Sequence, residues 1–148
     1  MKPTGLMIGD YVKYQGHIYI VEEISVKGWV HLIHPDTGTR VNLTSDYIID
    51  LLEPIHLTPE FFGRNNFNEF LGLGVFFSQY VKDKECSIMI DILFCKDSHI
   101  VVDIEKQSFT EGTRNSLHSC DIESLHEFQH ALRQCGLDGW ADNFNMEE

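Results

Sequence analysis

Turn signals break the first 52 residues into short runs of β-branched and aromatic side chains, and that punctuation restricts them to antiparallel sheet. Residues 10–14 alternate, Gln15-Gly16 turns the chain, and residues 17–24 form a second run. Lys27-Gly28 precedes a third run over 29–34. Pro35-Asp36-Thr37-Gly38 is a strong turn signal, because Pro pre-sets φ and Gly supplies a positive one. Residues 39–43 form a fourth run, and 47–52 a fifth after Thr44-Ser45-Asp46. Five strands at a spacing of about 8–12 residues predict a small antiparallel barrel.

The order and size of these strands resemble an SH3-like barrel, a likeness of fold that carries no activity. A seam follows at residues 53–60, where Pro54 and Pro59 disfavour helix interior and central strand. Thr58 suits an N-cap, Pro59 the first helical position and Glu60 the positive helix end. A short helix is therefore predicted over 59–64, closed by Asn65-Asn66. Beyond it, residues 73–81, 86–95 and 99–104 read as a three-stranded antiparallel meander, and 106–119 as a polar loop. Residues 122–135 read as a helix capped by Asp121 and stopped by Gly136. Trp140 and Phe144 sit in a tail that can still dock.

The expected fold class is α+β, mostly β: an SH3-like barrel in residues 1–56, then an α+β subdomain in residues 57–148. The long helix is expected to bury Ile122, Leu125, Phe128, Leu132 and Cys135 against Ile88, Ile90 and Ile92 or against their opposite-facing neighbours on that strand.

Charge narrows the partners. The 148 residues hold 11 Lys and Arg against 23 Asp and Glu, a formal net charge of −12. A binder of the phosphate backbone needs a basic stripe, and so does a protein that docks on an anionic membrane. Neither nucleic acid nor membrane is expected as a direct partner. Residues 1–60 carry 4 basic and 8 acidic side chains, and residues 61–148 carry 7 and 15, so the acidity is spread but heavier in the second half. Spread acidity keeps a protein soluble; gathered on one surface it offers charge to a basic partner, as a nucleic-acid mimic does.

The first residues lack the apolar core of a signal peptide, and no run approaches the ~20 apolar residues of a membrane span. Cys86, Cys95, Cys120 and Cys135 form no Cys-x-x-Cys pair. Reduced thiols in a cytoplasm are expected, in preference to a zinc knuckle or a disulfide framework.

Three segments carry a resemblance: Ile8-Gly9-Asp10-Tyr11-Val12, Leu52 through Glu60 (LEPIHLTPE), and Leu125-His126-Glu127-Phe128-Gln129-His130-Ala131-Leu132. Together they resemble a family of small proteins of Bacteroidota and of their phages and mobile elements. The likeness covers most of the chain. The family has no established activity, so the resemblance implies a fold pattern and a bacterial cytoplasmic or mobile-element setting, without a chemistry.

One constellation has chemical content. His126-Glu127-Phe128-Gln129-His130 matches His-Glu-x-x-His, in which two histidines on one helix face hold zinc and Glu127 serves a bound water as general base. On a helix of about 3.6 residues per turn, however, Leu125, Phe128, Leu132 and Cys135 define the apolar face, and His126 and His130 point almost directly away from it. That places them on a solvent-facing polar stripe, without the supporting shell a catalytic zinc needs. Arg133 stands where a third ligand would follow, and a downstream Glu could only be Glu147 or Glu148; His99 or His118 would have to reach in. In the resembling family this helix carries a His-x-Leu-Gln pattern in which the Glu is not fixed.

Other signals are weaker. Tyr11, Tyr14, Tyr19, Trp29 and Tyr47 are an aromatic set that small barrels sometimes gather into a cage for a cation or peptide; core and cross-strand pairing is the competing reading. Of these, Tyr11, Tyr14 and Trp29 are the binding candidates. His31 and His34 fall on opposite strand faces, so they are not a ligand pair. Gly72-Leu73-Gly74 lacks the context of a phosphate loop. Cys120 at the expected helix start reads as a structural thiol, although that position can depress a thiol pKa.

These readings point to a non-enzymatic cytoplasmic interaction module with a protein partner. The alternatives are a zinc-dependent hydrolase using His126, Glu127 and His130, and an acidic inhibitor or mimic acting on a nucleic-acid-handling protein. No cofactor is expected outside the zinc reading.

Overall fold

The computed structural model describes residues 5–27, 29–44, 51–71, 75–82, 86–95, 99–108, 112 and 114–146. The class is α+β, mostly β, with two antiparallel sheets. The first sheet holds β1 (Tyr11–Tyr14), β2 (His17–Ile24), β3 (Val30–Ile33) and β4 (Arg40–Leu43) in sequential order. Gly16 at φ +81 and Gly38 at φ +71 occupy the left-handed positions that the first and third turns require. A bulge between Val21 and Glu23 bends β2. The expected fifth run largely lies outside the described residues. Just past it, Glu53 pairs with Lys13 of β1. Among the described residues the strands do not close into a barrel.

The seam behaves as its prolines dictate. Helix α1 (Pro59–Arg64) starts at Thr58, whose Oγ1 accepts the Phe61 N–H at 3.3 Å, with Pro59 in the first turn. The second sheet is larger than the three strands expected. It contains β5 (Asn68–Leu71), β6 (Val75–Lys82), β7 (Cys86–Phe94), β8 (Ile100–Ser108) and β9 (Arg114–Ile122), an uninterrupted antiparallel meander. Residues 106–119 are therefore not a loop: β8 runs to Ser108, Gly112 turns the chain at φ +65, and β9 pairs back along β8. β9 is an edge strand with only one face on the core, so its composition is polar and its alternation faint.

Helix α2 (Leu125–Gln134) is shorter than expected at its start. Ile122 pairs with Ile100 inside the sheet, and Ser124, not Asp121, is the N-cap. Its end follows the glycine signal. Leu137 donates to the Leu132 carbonyl at 2.9 Å and Gly136, at φ +75, donates to Arg133 at 3.0 Å, the two bonds of a Schellman cap. The tail then forms α3 (Asp138–Ala141) and tucks Ala141 and Phe144 into the core.

Two apolar clusters result. One belongs to the first sheet and holds Leu6, Val12, Val21, Val30, Leu32, Leu43 and Leu52. The other is larger and packs α1, α2 and the tail on one face of the second sheet. Phe62 is its centre, with ring centroids of Phe61, Phe67, Phe77, Phe94 and Phe128 within 5.2–5.7 Å. Leu125, Phe128 and Leu132 join Ile90 and Ile92 there, as the helical periodicity requires. Tyr11 and Ile18 of the first sheet belong to this second cluster, so the core crosses between the sheets.

Candidate functional site

The polar face of α2 is partly covered: Gln129 is buried, His126, His130 and Arg133 are half-buried, and Glu127 and Gln134 remain exposed. The covered part is docked on the start of β1, and Asp10 is the centre of the junction. Asp10 is fully buried, and its carboxylate receives Arg133 Nη1 at 2.7 Å, His130 Nε2 at 2.8 and 3.0 Å, and the Met7 N–H at 2.7 Å. Arg133 Nη2 reaches Asp142 Oδ1 at 3.1 Å. Beside this cluster Gln129, also fully buried, accepts the Tyr11 N–H and donates to the carbonyls of Gly9 and Ala141. The motif's second histidine, the arginine after it and the intervening Gln129 thus fasten the helix to the first sheet. The expectation of a solvent-facing stripe is corrected: a helical wheel knows one apolar core, whereas this helix has a second neighbour on its polar side.

His126 and Glu127 sit one turn earlier, at a cleft of about 170 Å³ lined also by Pro54, His56, Glu123 and Ser124. Ser124 is buried; its Oγ lies 3.1 Å from His126 Nδ1 and donates to Glu127 Oε1 at 2.8 Å. Glu127 is thereby tied to the side chain of the helix N-cap residue, and Ser124 makes no side-chain bond to the helix backbone. The His126 and His130 rings meet edge to face at 5.7 Å. Among the described residues no three His, Cys, Asp or Glu side chains gather as a metal site needs. His130 Nε2 is turned toward a carboxylate that Arg133 already neutralises.

Burial pushes the His126 imidazole below its ordinary value, with His130 acting in the same direction and Asp10 and Glu127 opposing. In the folded protein His126 therefore binds a proton less readily than in the unfolded chain. Its contribution to stability is complete above the unfolded value of about 6.5 and is lost as pH falls through the lower folded value. His126→Gln is expected to flatten the fall in melting temperature between pH 7 and 5. An unchanged pH slope would show that this burial is not felt.

Among the described residues, the aromatic candidates make separate contacts. Tyr11 is buried in the larger core, its hydroxyl donating to the Asp142 carbonyl at 3.3 Å. Tyr14 meets Tyr19 at 6.4 Å, and Tyr19 meets His34 at 5.5 Å. Trp29 takes the Lys27 ammonium over its ring at 5.1 Å. Tyr47, Gly72, Leu73 and Gly74 lie outside the described residues. Cys120 lies on β9, not at the helix start, and burial, with Asp121 and Glu127 nearby, pushes its thiol up instead of down. Burial raises Cys135 likewise.

The second sheet has a surface that sequence reasoning missed. Its inner face carries Phe77, Ile90, Ile92, Ile100, Val102 and Ile104. On the outer face a polar row crosses all five strands in register: Asn68, Ser78, Asp91, Asp103 and Ser119. Asp91 and Asp103 stand directly opposite each other on β7 and β8. Glu105 lies two residues along β8, and Asp121 pairs with Val101. Beside the row stand exposed Phe70, Leu93 and Leu117, with Met89 and Val101 half-buried. The signal was present in the alternation of Asp91, Asp103 and Glu105 with the apolar residues of their strands, but pairing register, which aligns them, is not a local property.

No helix of the described residues is long and apolar enough to cross a membrane. Comparison with family models, with curated proteins and with solved structures finds nothing that matches this chain.

Proposed function

We propose that this protein is a non-enzymatic cytoplasmic interaction module, and that its docking surface is the outer face of the β5–β9 sheet. The observation that carries this reading is the opposed pair Asp91 and Asp103. Like charges directly across a strand pair destabilise a sheet, so a fold that retains them has a use for them elsewhere. The partner is a basic protein segment that also bears apolar side chains, matching the carboxylates and the neighbouring Phe70, Leu93 and Leu117. The apolar residues set this reading ahead of mimicry of nucleic acid, because a phosphate-tracking protein would meet them with nothing. The first sheet is read as part of an SH3-like barrel, supported by the return of Glu53 to β1. The bacterial or mobile-element setting rests on the sequence resemblance.

The test uses a Lys/Leu amphipathic peptide as probe, with binding followed by fluorescence anisotropy at low and moderate salt. Asp103→Asn/Glu105→Gln is expected to weaken binding about tenfold, whereas Asp36→Asn/Glu53→Gln, with the same charge change on the other sheet, leaves it unchanged. Asp103→Asn alone is expected to raise stability by about 0.2–1 kcal/mol. Equal weakening by both double variants would reduce the effect to net charge and overturn the reading.

A further inference from the structure

We propose that the cleft between the end of α1, β6 and the C-terminal tail binds a neutral saccharide. This site lies on the helix-bearing side of the second sheet and does not depend on the outer-face reading. Its volume, about 570 Å³, falls within the ~300–1,000 Å³ of small-molecule sites. Asn66, Gln79, Asn143, Asn145, Trp140 and Arg64 line it. Among its described lining residues none is acidic, in a chain with 23 acidic side chains.

The lining chemistry selects the ligand. A carboxamide offers a donor and an acceptor side by side, which suits a hydroxyl that also donates and accepts. Five carboxamides line the cleft from three segments: Asn65 and Asn66 in the turn after α1, Gln79 on strand β6, and Asn143 and Asn145 in the tail. A ligand met from several directions must carry polar groups around its whole rim, as a pyranose does. A flat nucleobase has hydrogen-bonding groups only in its plane. Half-buried Trp140, on a cleft that Phe144 also lines, supplies an apolar surface for the C–H face of a sugar ring. A neutral ligand is also indifferent to the net charge of −12, which would repel an anion despite Arg64.

The walls are held in place before any ligand arrives. Asn65 Nδ2 donates to the Asn145 carbonyl at 3.2 Å and Asn65 Oδ1 accepts the Asn145 N–H at 2.6 Å, which pins the tail to α1. Gln79 Nε2 donates to the Asn66 carbonyl at 2.9 Å, and Asn143 Nδ2 to Gly139 at 2.7 Å. Preorganisation of this kind lowers the ordering cost of binding.

Gly139 provides the test. It lines the cleft, its backbone lies outside the left-handed region, and a Cβ there meets nothing within 4 Å. Gly139→Phe is expected to fill the cleft while leaving the melting temperature unchanged. Amide and indole resonances of the full chain are followed during titration with cellobiose, maltose, lactose, N,N′-diacetylchitobiose and, separately, adenosine at millimolar concentration. The expected result is a set of shifts at Trp140, Asn66 and Asn145 with at least one disaccharide, lost in Gly139→Phe. Should Gly139→Phe fold poorly, Asn145→Ala keeps the backbone bond to Asn65 and is expected to weaken the same titration severalfold. Shifts with adenosine alone, shifts that survive both variants, or no shifts with any of the four disaccharides would overturn the proposal.

Discussion

Asp10→Ala is expected to lower the stability of the whole chain by about 3–5 kcal/mol, the loss seen when one partner of a buried charge pair is removed. Asp10 has no exposed surface, and Arg133 and His130 both converge on it. With the carboxylate gone, Arg133 stays largely covered with only Asp142 to meet it, and the Met7 N–H loses its acceptor. Total stabilities of domains lie at about 5–15 kcal/mol, so this change consumes a large fraction of the reserve. Urea unfolding followed by circular dichroism measures it. A loss below about 1 kcal/mol would mean that the cluster behaves as a solvated surface pair.

Gly9→Ala tests the same junction by shape instead of charge. Gly9 has φ +93, and a Cβ there would lie 2.8 Å from Arg133 Nη2 and 3.1 Å from Asp142 Oδ1. Backbone strain of about 1–3 kcal/mol is expected, together with displacement of the guanidinium. Because both changes strike one network, the double variant is expected to cost less than the two single losses combined.

Leu125→Asp is the second large effect. Leu125 is fully buried at the start of α2, in the cluster that contains Phe62, Phe128, Ile90 and Ile92. Truncating a buried Leu costs about 2–5 kcal/mol, and a carboxylate placed there has no partner, which adds a further desolvation cost. The second half is expected to lose cooperative melting, with loss of near-ultraviolet dichroism from its aromatic core. The first sheet is expected to weaken as well, since Tyr11 and Ile18 share that core. An unchanged thermal melt would refute the packing of α2 on the sheet.

Much of the local structure was legible. Gly16, Gly38, Thr58-Pro59 and Gly136 each act through backbone chemistry within a few residues, and the structure uses each in that role. The apolar stripe of α2 was legible for the same reason. The start of that helix was not, because Ile122 satisfies both a helical period and a strand pairing, and the partner Ile100 decides between them. Strand β9 escaped notice because an edge strand needs few apolar residues. The aromatic candidates were identified as residues, but sheet register distributes them among separate contacts.

The site residues divide in the same way. Composition alone determined an acidic chain without a basic stripe, and periodicity determined which face of α2 meets the large core. The sequence also singled out His126, Glu127 and His130, and only tertiary structure decided their use. Asp10 lies 120 residues from His130 in the chain and within 2.8 Å of it in the fold. The register that sets Asp91 opposite Asp103, and the docking of the tail that shapes the amide-lined cleft, are likewise non-local. Hydrogen-bond capping and amphipathic periodicity are short-range and leave a mark on the sequence. The pairing of distant polar groups depends on which surfaces come to face each other, and no window along the chain contains that information.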